Sequence, residues 1–226
     1  MPRFTLRDSE IVFDDGGMNL LSSAALRELR STIESLDAPL IVFRSGRPIF
    51  AAGADMAEKV SFTAHDAAEF SRLGQETFAA IEKLPSITVA IIDGDCFGGA
   101  LDLVLAFDLR FATPRSRFSH PGARLGIVTG FGGTSRWHGL IDRAAARKLF
   151  LGNPVLSAEE ALQMGLVDRI GETFETELQQ LATRNPATTR LVKELARHAD
   201  RLSRDQLMLL AERLGRLVIL SAAKDL

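Results

Sequence analysis

Two adjacent glycines, Gly98 and Gly99, join an apolar run to a helical one, and they constrain this chain more than any other stretch. Before them, Ile87-Thr-Val-Ala-Ile-Ile92 is rich in β-branched residues and reads as a buried strand. After them, Leu101, Val104 and Leu105 fall at helical spacing, so the glycine pair sits where a helix begins. A helix start leaves backbone N–H groups without internal partners, and its dipole favours negative charge there. That makes the stretch a device for holding an anion, with glycine letting a ligand approach the backbone closely. Asp102 follows Gly99 by about one helical turn and shares its face. An acid beside an anion cradle predicts proton transfer.

The 226 residues, 46% of them hydrophobic with a net charge of −2, suffice for one or two globular domains with a sizeable core. The two signs of charge are interspersed, which excludes an obvious nucleic-acid surface or polybasic membrane patch. Cys96 is the only cysteine, so no intramolecular disulfide framework exists. That usage suits a reducing compartment. No apolar run reaches the roughly 18 residues of a membrane span, and no basic segment with an apolar core opens the sequence. The expectation is a cytoplasmic protein. The chain has no tyrosine, which removes mechanisms that need a phenol.

Along the chain, Glu10-Ile-Val-Phe13 reads as a strand that ends at the turn Asp14-Asp-Gly-Gly17. Leu26, Leu29, Ile33 and Leu36 then mark a helix that Ser22 or Ser23 can cap. Leu40-Ile-Val-Phe43 is strand-like, and Ile49-Phe-Ala-Ala-Gly-Ala-Asp-Met56 is a small-residue loop able to bring N–H groups close to a ligand. A long helix over Ala64 to Lys83 carries Ala67, Phe70, Gly74, Thr77, Phe78 and Ile81 on one face and ends at Leu84-Pro85. Short strands are expected at Leu109–Ala112 and Arg117–Ser119. Gly126-Ile-Val-Thr-Gly-Phe-Gly-Gly-Thr134 is glycine-rich but lacks the lysine of a phosphate-binding loop and the spacing of a dinucleotide fingerprint. From Asp142 the pattern reads as almost wholly helical. Ser157-Ala-Glu-Glu160 and Ser203-Arg-Asp-Gln206 form capping boxes, Gly165 is a stop, and Leu207, Leu210, Leu214 and Leu217 form an apolar side. His65, His138 and His198 have no metal-ligand spacing, and Cys96 reads as a packed small hydrophobe.

Taken together, these motifs resemble the crotonase superfamily, the enoyl-CoA hydratase/isomerase group. Phe50-Ala-Ala-Gly-Ala-Asp-Met56 resembles its first oxyanion loop, and Gly94-Asp-Cys-Phe-Gly-Gly-Ala-Leu-Asp102 its second. Leu125-Gly-Ile-Val-Thr-Gly-Phe-Gly-Gly-Thr-Ser-Arg136 resembles the loop and helix after the catalytic strand. Ser157-Ala-Glu-Glu-Ala-Leu-Gln-Met-Gly-Leu-Val-Asp168 resembles the segment before the C-terminal helices. The resemblance implies an α/β fold, a spiral of strand-strand-helix repeats over residues 1–170, then a helical region over 171–226 that builds a homotrimer or dimer of trimers. It implies an acyl-CoA thioester whose carbonyl oxygen meets the N–H groups of Ala54 and Gly99. Asp102 would be the acid/base, and Ala52, Gly53, Asp55, Met56, His120 and Gly122 would contact substrate. No metal, separate cofactor, membrane or nucleic acid is implied.

Hydratases of that family carry two glutamates. Here the first position is Asp102, shorter by one methylene, and the second is Gly122, with no side chain. His120 and Thr129 are neighbouring candidates to recruit a water or proton, since histidine as a residue type titrates near neutrality. The last helix stops sooner than is usual in the family, and Asp14-Asp15 stands where basic residues often follow the first strand. The expected activity is of hydratase or isomerase type. The lost acid at Gly122 leaves open a carbon–carbon lyase or synthase of the same fold, or a catalytically impaired acyl-CoA-binding subunit.

Overall fold

The computed structural model describes residues 2–199 and 202–222, with side chains as far as Gly215. After an antiparallel edge strand β1 (Phe4–Arg7), the chain winds in strand-strand-helix turns. The first is β2 (Glu10–Phe13), β3 (Leu20–Leu21) and α1 (Ser23–Glu34). The second is β4 (Leu40–Ser45), β5 (Gly53–Ala54), α2 (Met56–Lys59) and α3 (Ala64–Lys83). The third is β6 (Ile87–Ile92), β7 (Asp95–Phe97) and α4 (Gly99–Val104). A fourth runs through β8 (Leu109–Ala112), β9 (Arg117–Ser119), a 3-10 turn at Ala123–Leu125, α5 (Gly133–Arg136) and α6 (Arg143–Gly152). β10 (Leu156–Ser157), α7 (Ala158–Met164) and β11 (Arg169–Ile170) follow, then α8 (Glu175–Ala182), α9 (Pro186–His198) and α10 (Arg204–Ala222).

The first strand of each turn enters one six-stranded sheet in the order β1-β2-β4-β6-β8-β11, parallel from β2 onward. The second strands build a separate layer: β3 pairs β5, and β7 pairs β9, which also carries β10. A bridge between Ala51 and Cys96 joins those two short ladders. This spiral is the mixed α/β architecture that the resemblance implies.

The central strands of the large sheet are covered on both faces, which is why they read as unbroken apolar runs rather than alternating ones. Ile41, Phe43, Ala90 and Ile92 face the main core, while Leu40, Val42, Val89 and Ile91 face a second cluster with Phe111 and Phe174. Phenylalanine fills the main core: Phe4 stacks on Phe13 at 4.5 Å, and Phe43 lies 5.9 Å from Phe50 and 5.5 Å from Phe107. These rings need no hydrogen-bond partner, whereas a buried tyrosine would.

The helices follow their sequence signals closely. The Ser22 hydroxyl accepts from Ala25 N–H at the start of α1, and α3 begins at a Thr63–Asp66 capping box and buries Phe70, Gly74, Thr77, Phe78 and Ile81. Ala67, expected on that face, is exposed. The Ser157–Glu160 box forms, and Gly165 ends α7 at φ +82°. Ser203 and Gln206 bond reciprocally before α10. Leu207 and Leu210 stay partly exposed whereas Leu214 is buried; the side chain of Leu217 lies outside the described residues.

The chain beyond Asp142 is almost wholly helical, and the two short strands within it, β10 and β11, carry no sequence signal. β11 returns to the large sheet beside β8, where Arg110, 2% exposed, ties the two together. Its guanidinium donates to the carbonyls of Leu166 and Phe107 and to the Asp168 carboxylate. Strands of two residues have no periodicity to read. Further on, Lys193 of α9 reaches back to Asp108 and to the carbonyl of Ser86, both at 2.6 Å.

Candidate active site

The two small-residue loops meet. β5 pairs β3 in parallel register, Leu21 opposite Ala54, and Asp55 N–H donates to the Leu21 carbonyl. In such a ladder alternate residues point their backbone groups away from the partner, which turns Ala54 N–H toward α4. Gly98, at φ +55°, precedes α4, so Gly99 N–H is the first of the helix and lacks an internal acceptor. The contact between the loops is close. Gly53 has φ +100°, and a Cβ there would stand 2.5 Å from the Phe97 carbonyl oxygen and 2.9 Å from Gly99 N. A Cβ on Gly99 would stand 3.2 Å from Ala54 N. The backbone nitrogens of Ala54 and Gly99 thus lie side by side.

The turn Asp14–Leu20 supports that arrangement. Asp15 accepts from the N–H groups of Gly17, Asn19 and Leu20, and Asn19, buried at φ +54°, donates to the carbonyls of Phe13 and Phe50. Partial burial works against the Asp15 charge, yet the N–H groups of Leu20, Asn19 and Gly17 hold its carboxyl below the usual carboxylate range. Asp15, in the turn after β2, thus fixes β3, and through it β5.

Asp102 is fully buried in the first turn of α4. Its Oδ2 accepts from the Thr129 hydroxyl, and its Oδ1 faces His120 Nε2 at 3.3 Å. Those two facing atoms are close but out of hydrogen-bond alignment, and neither has a hydrogen-bond partner among the described residues. His120 is 4% exposed, its ring against Phe150 at 5.0 Å and its carbonyl bonded by Asn153. Gly133 abuts the acid: a Cβ there would lie 1.7 Å from Asp102 Oδ1.

Around these groups lies a cavity of about 100 Å³ whose wall includes Ala52, Ala54, Met56, Gly99, His120 and Gly122. Asp102 stands one layer behind that wall, reached through His120 and Thr129, which line it. Phe131 closes one side against Phe70 at 5.0 Å and Phe78 at 5.5 Å, seated on Gly74, where a Cβ would come within 2.1 Å of the ring. Arg136 fastens that loop, donating to the Phe131 carbonyl and pairing with Glu82 of α3.

Of the residues expected to touch substrate, Ala52, Met56, His120 and Gly122 line the cavity. Gly53 and Asp55 do not: Gly53 is buried beneath the glycine turn, and Asp55 caps α2 through the N–H groups of Ala57 and Glu58. Gly122 has no space for a side chain, since a Cβ would stand 2.7 Å from the Ile127 carbonyl oxygen and 3.2 Å from His120 Cε1. Sequence reasoning missed Lys59, Phe70, Ser71 and Phe131, which line the same cavity. Their only signal was helical spacing and a glycine-rich loop. Cys96 is fully buried, and burial, with the charges of Asp102 and Asp95, pushes its thiol up. Among the described residues no cluster of His, Cys, Asp and Glu could hold a metal.

Residues 9–213 match the family model described as enoyl-CoA hydratase/isomerase. A crotonyl-CoA hydratase of Syntrophomonas wolfei subsp. wolfei is 33% identical over 189 residues, covering 80% of this chain and 73% of that protein. A short-chain-enoyl-CoA hydratase of Clostridium acetobutylicum is 31% identical over 163 residues, and the match spans 70% of this chain but only 62% of the relative. A solved structure of Pseudomonas aeruginosa DspI superimposes with a TM-score of 0.88 at 27% identity, covering 97% of this chain and 89% of that one. The enoyl-CoA hydratase of Thermoplasma volcanium shares the fold, with a TM-score of 0.90 at 23% identity over 96% of this chain and 91% of that one.

Proposed function

Because the chain belongs to the enoyl-CoA hydratase/isomerase family, we propose that it moves protons on a short enoyl-CoA thioester, with hydration of a crotonyl-type double bond as its leading reaction. The thioester oxygen takes the N–H groups of Ala54 and Gly99. Water adding at C3 builds charge on that oxygen as the enolate forms, and fixed donors stabilise it without reorganisation. One proton leaves the water and one reaches C2, so a group that both accepts and donates must stand beside the enolate. The single observation that carries this reading is the buried Asp102–His120 contact directly behind the two adjacent donors. Asp102 lies behind, and His120 is the member of the pair that meets the cavity.

Double-bond migration is a second reading, and Gly122 favours it. A 1,3-proton shift runs on one base, and the closed space at Gly122 excludes the second carboxylate that hydratases of this family use on water. The relatives named as hydratases favour either of these over a carbon–carbon lyase. Coenzyme A enters as part of the substrate, with no other cofactor required. On the same reading the region from residue 171 assembles the homotrimer or dimer of trimers on a core formed by residues 1–170, and the protein works in the cytoplasm. No helix among the described residues is long and apolar enough to cross a membrane.

Crotonyl-CoA and 3-butenoyl-CoA separate the two reactions: hydration adds the mass of one water to crotonyl-CoA, whereas migration leaves the mass of 3-butenoyl-CoA unchanged and is read as a gain of conjugated enoyl-thioester absorbance. Asp102→Asn keeps the side-chain size, and turnover is expected to fall by about 10² to 10⁴-fold, the range for a positioned acid/base. Full turnover in that variant refutes the role given to Asp102.

A further inference from the structure

Proton transfer on a neutral enoyl group leaves one feature of the cavity unused, Lys59. It is the only lysine or arginine among the residues lining the cavity. Its ammonium lies 5.3 Å over the Phe70 ring. Among the described residues no carboxylate pairs with it within ion-pair distance, unlike Lys193, which has Asp108. Burial pushes the Lys59 ammonium down, with the Asp102 charge pulling the other way. Ser71 lines the same cavity, and no described residue bonds its hydroxyl.

An ammonium drawn from water costs free energy unless a counter-charge is present, and an aromatic ring returns only part of that. Asp102 cannot supply a direct pair. One of its oxygens is taken by Thr129, the other faces His120, and the residue is fully buried. Apart from His120 and Thr129 in front of Asp102, the remaining walls are small or apolar, among them Ala52, Ala54, Met56, Leu125, Ile127 and Phe131. We infer that Lys59 and Ser71 form a carboxylate subsite, and that the acyl group this cavity selects is a short enoyl chain bearing a second, ionised carboxyl group. The inference rests on the acyl-thioester reading and names its substrate class. A charge-assisted pair in a partly dry cavity discriminates strongly against the uncharged chain of equal reach.

Calorimetric binding of two unreactive thioesters tests it: glutaryl-CoA, which carries the extra carboxylate, and butyryl-CoA, which does not. The methyl ester of glutaryl-CoA serves as the neutral control of equal length. The native protein is expected to bind glutaryl-CoA roughly tenfold or more tightly than either neutral thioester. Lys59→Met abolishes that ratio, and Lys59→Arg retains part of it. A native protein without the preference, or a Lys59→Met variant that keeps it, overturns the subsite. If both thioesters bind equally, the subsite falls while the acyl-thioester reading stands; if neither binds, the acyl-thioester reading falls and the subsite with it.

Discussion

Replacing Gly53 by alanine perturbs the two proposed oxyanion donors without substituting either. The added methyl group would stand 2.5 Å from the Phe97 carbonyl oxygen and 2.9 Å from Gly99 N, where ordinary contact begins at 3.4 Å. The shortfall of about 0.9 Å falls on backbone, which cannot rotate away, so the strand carrying Ala54 and the turn carrying Gly99 must separate. A misplacement near 1 Å at a reacting centre costs roughly 10²-fold in rate, close to the effect of losing one oxyanion donor. The same substitution strains the backbone, since φ is +100°, at about 1–3 kcal/mol of stability. Gly16 isolates that second effect: it also has positive φ, +78°, but nothing lies within 4 Å of a Cβ there. Both variants are therefore expected to lose stability in urea, and only Gly53→Ala to lose kcat on crotonyl-CoA, followed by loss of the enoyl-thioester absorbance. If Gly53→Ala turns over as fast as Gly16→Ala, the apposition of the two loops does not set the donors, and the argument fails.

Restoring the family's second acid by Gly122→Glu is expected to lower turnover rather than raise it, with roughly 1–3 kcal/mol of stability lost to overpacking against the Ile127 carbonyl; faster hydration in that variant refutes the steric reading. Asp15→Asn is expected to weaken the protein by about 1–2 kcal/mol at neutral pH, because its carboxylate accepts three backbone N–H groups. The folded carboxyl sits below its ordinary 3.8, so its contribution is complete above that pH and is lost as pH falls through the folded value. Urea titrations across pH should show the native and variant curves converging on the acid side and parting above it.

Much of the site was legible because its parts are local. The glycine pair, the Phe50–Met56 loop and the caps at Ser22, Ser157 and Ser203 each announce themselves within a few residues. Helix α3 was readable to its ends for the same reason: a long amphipathic stripe closed by Leu84-Pro85. What stayed hidden depends on distant neighbours. Nothing beside Gly122 in sequence says that Ile127 O occupies the space of its side chain, and nothing beside Lys59 says that Phe70 lies beneath it. The paired strands β3 and β5 are two residues each, too short for alternation, and hydrogen bonds from outside them, those of Asp15 and Asn19 among them, define them. Nothing in Leu109-Arg-Phe-Ala112 announces that Arg110 is buried, because one of the carbonyls that receive it belongs to the distant Leu166.

The bridge between Ala51 and Cys96 has a kinetic meaning. It is the seam where the layer built by the early turns meets the layer built by the later ones, and the donors at Ala54 and Gly99 lie on opposite sides of it. The contacts that create the site are all far apart in sequence, and contacts of that kind form slowly because the loop between them must close first. No half of the spiral contains a half-working centre. Recovery of activity during refolding therefore times the closing of that seam, and must trail the appearance of helices α1 and α3, whose signals are local.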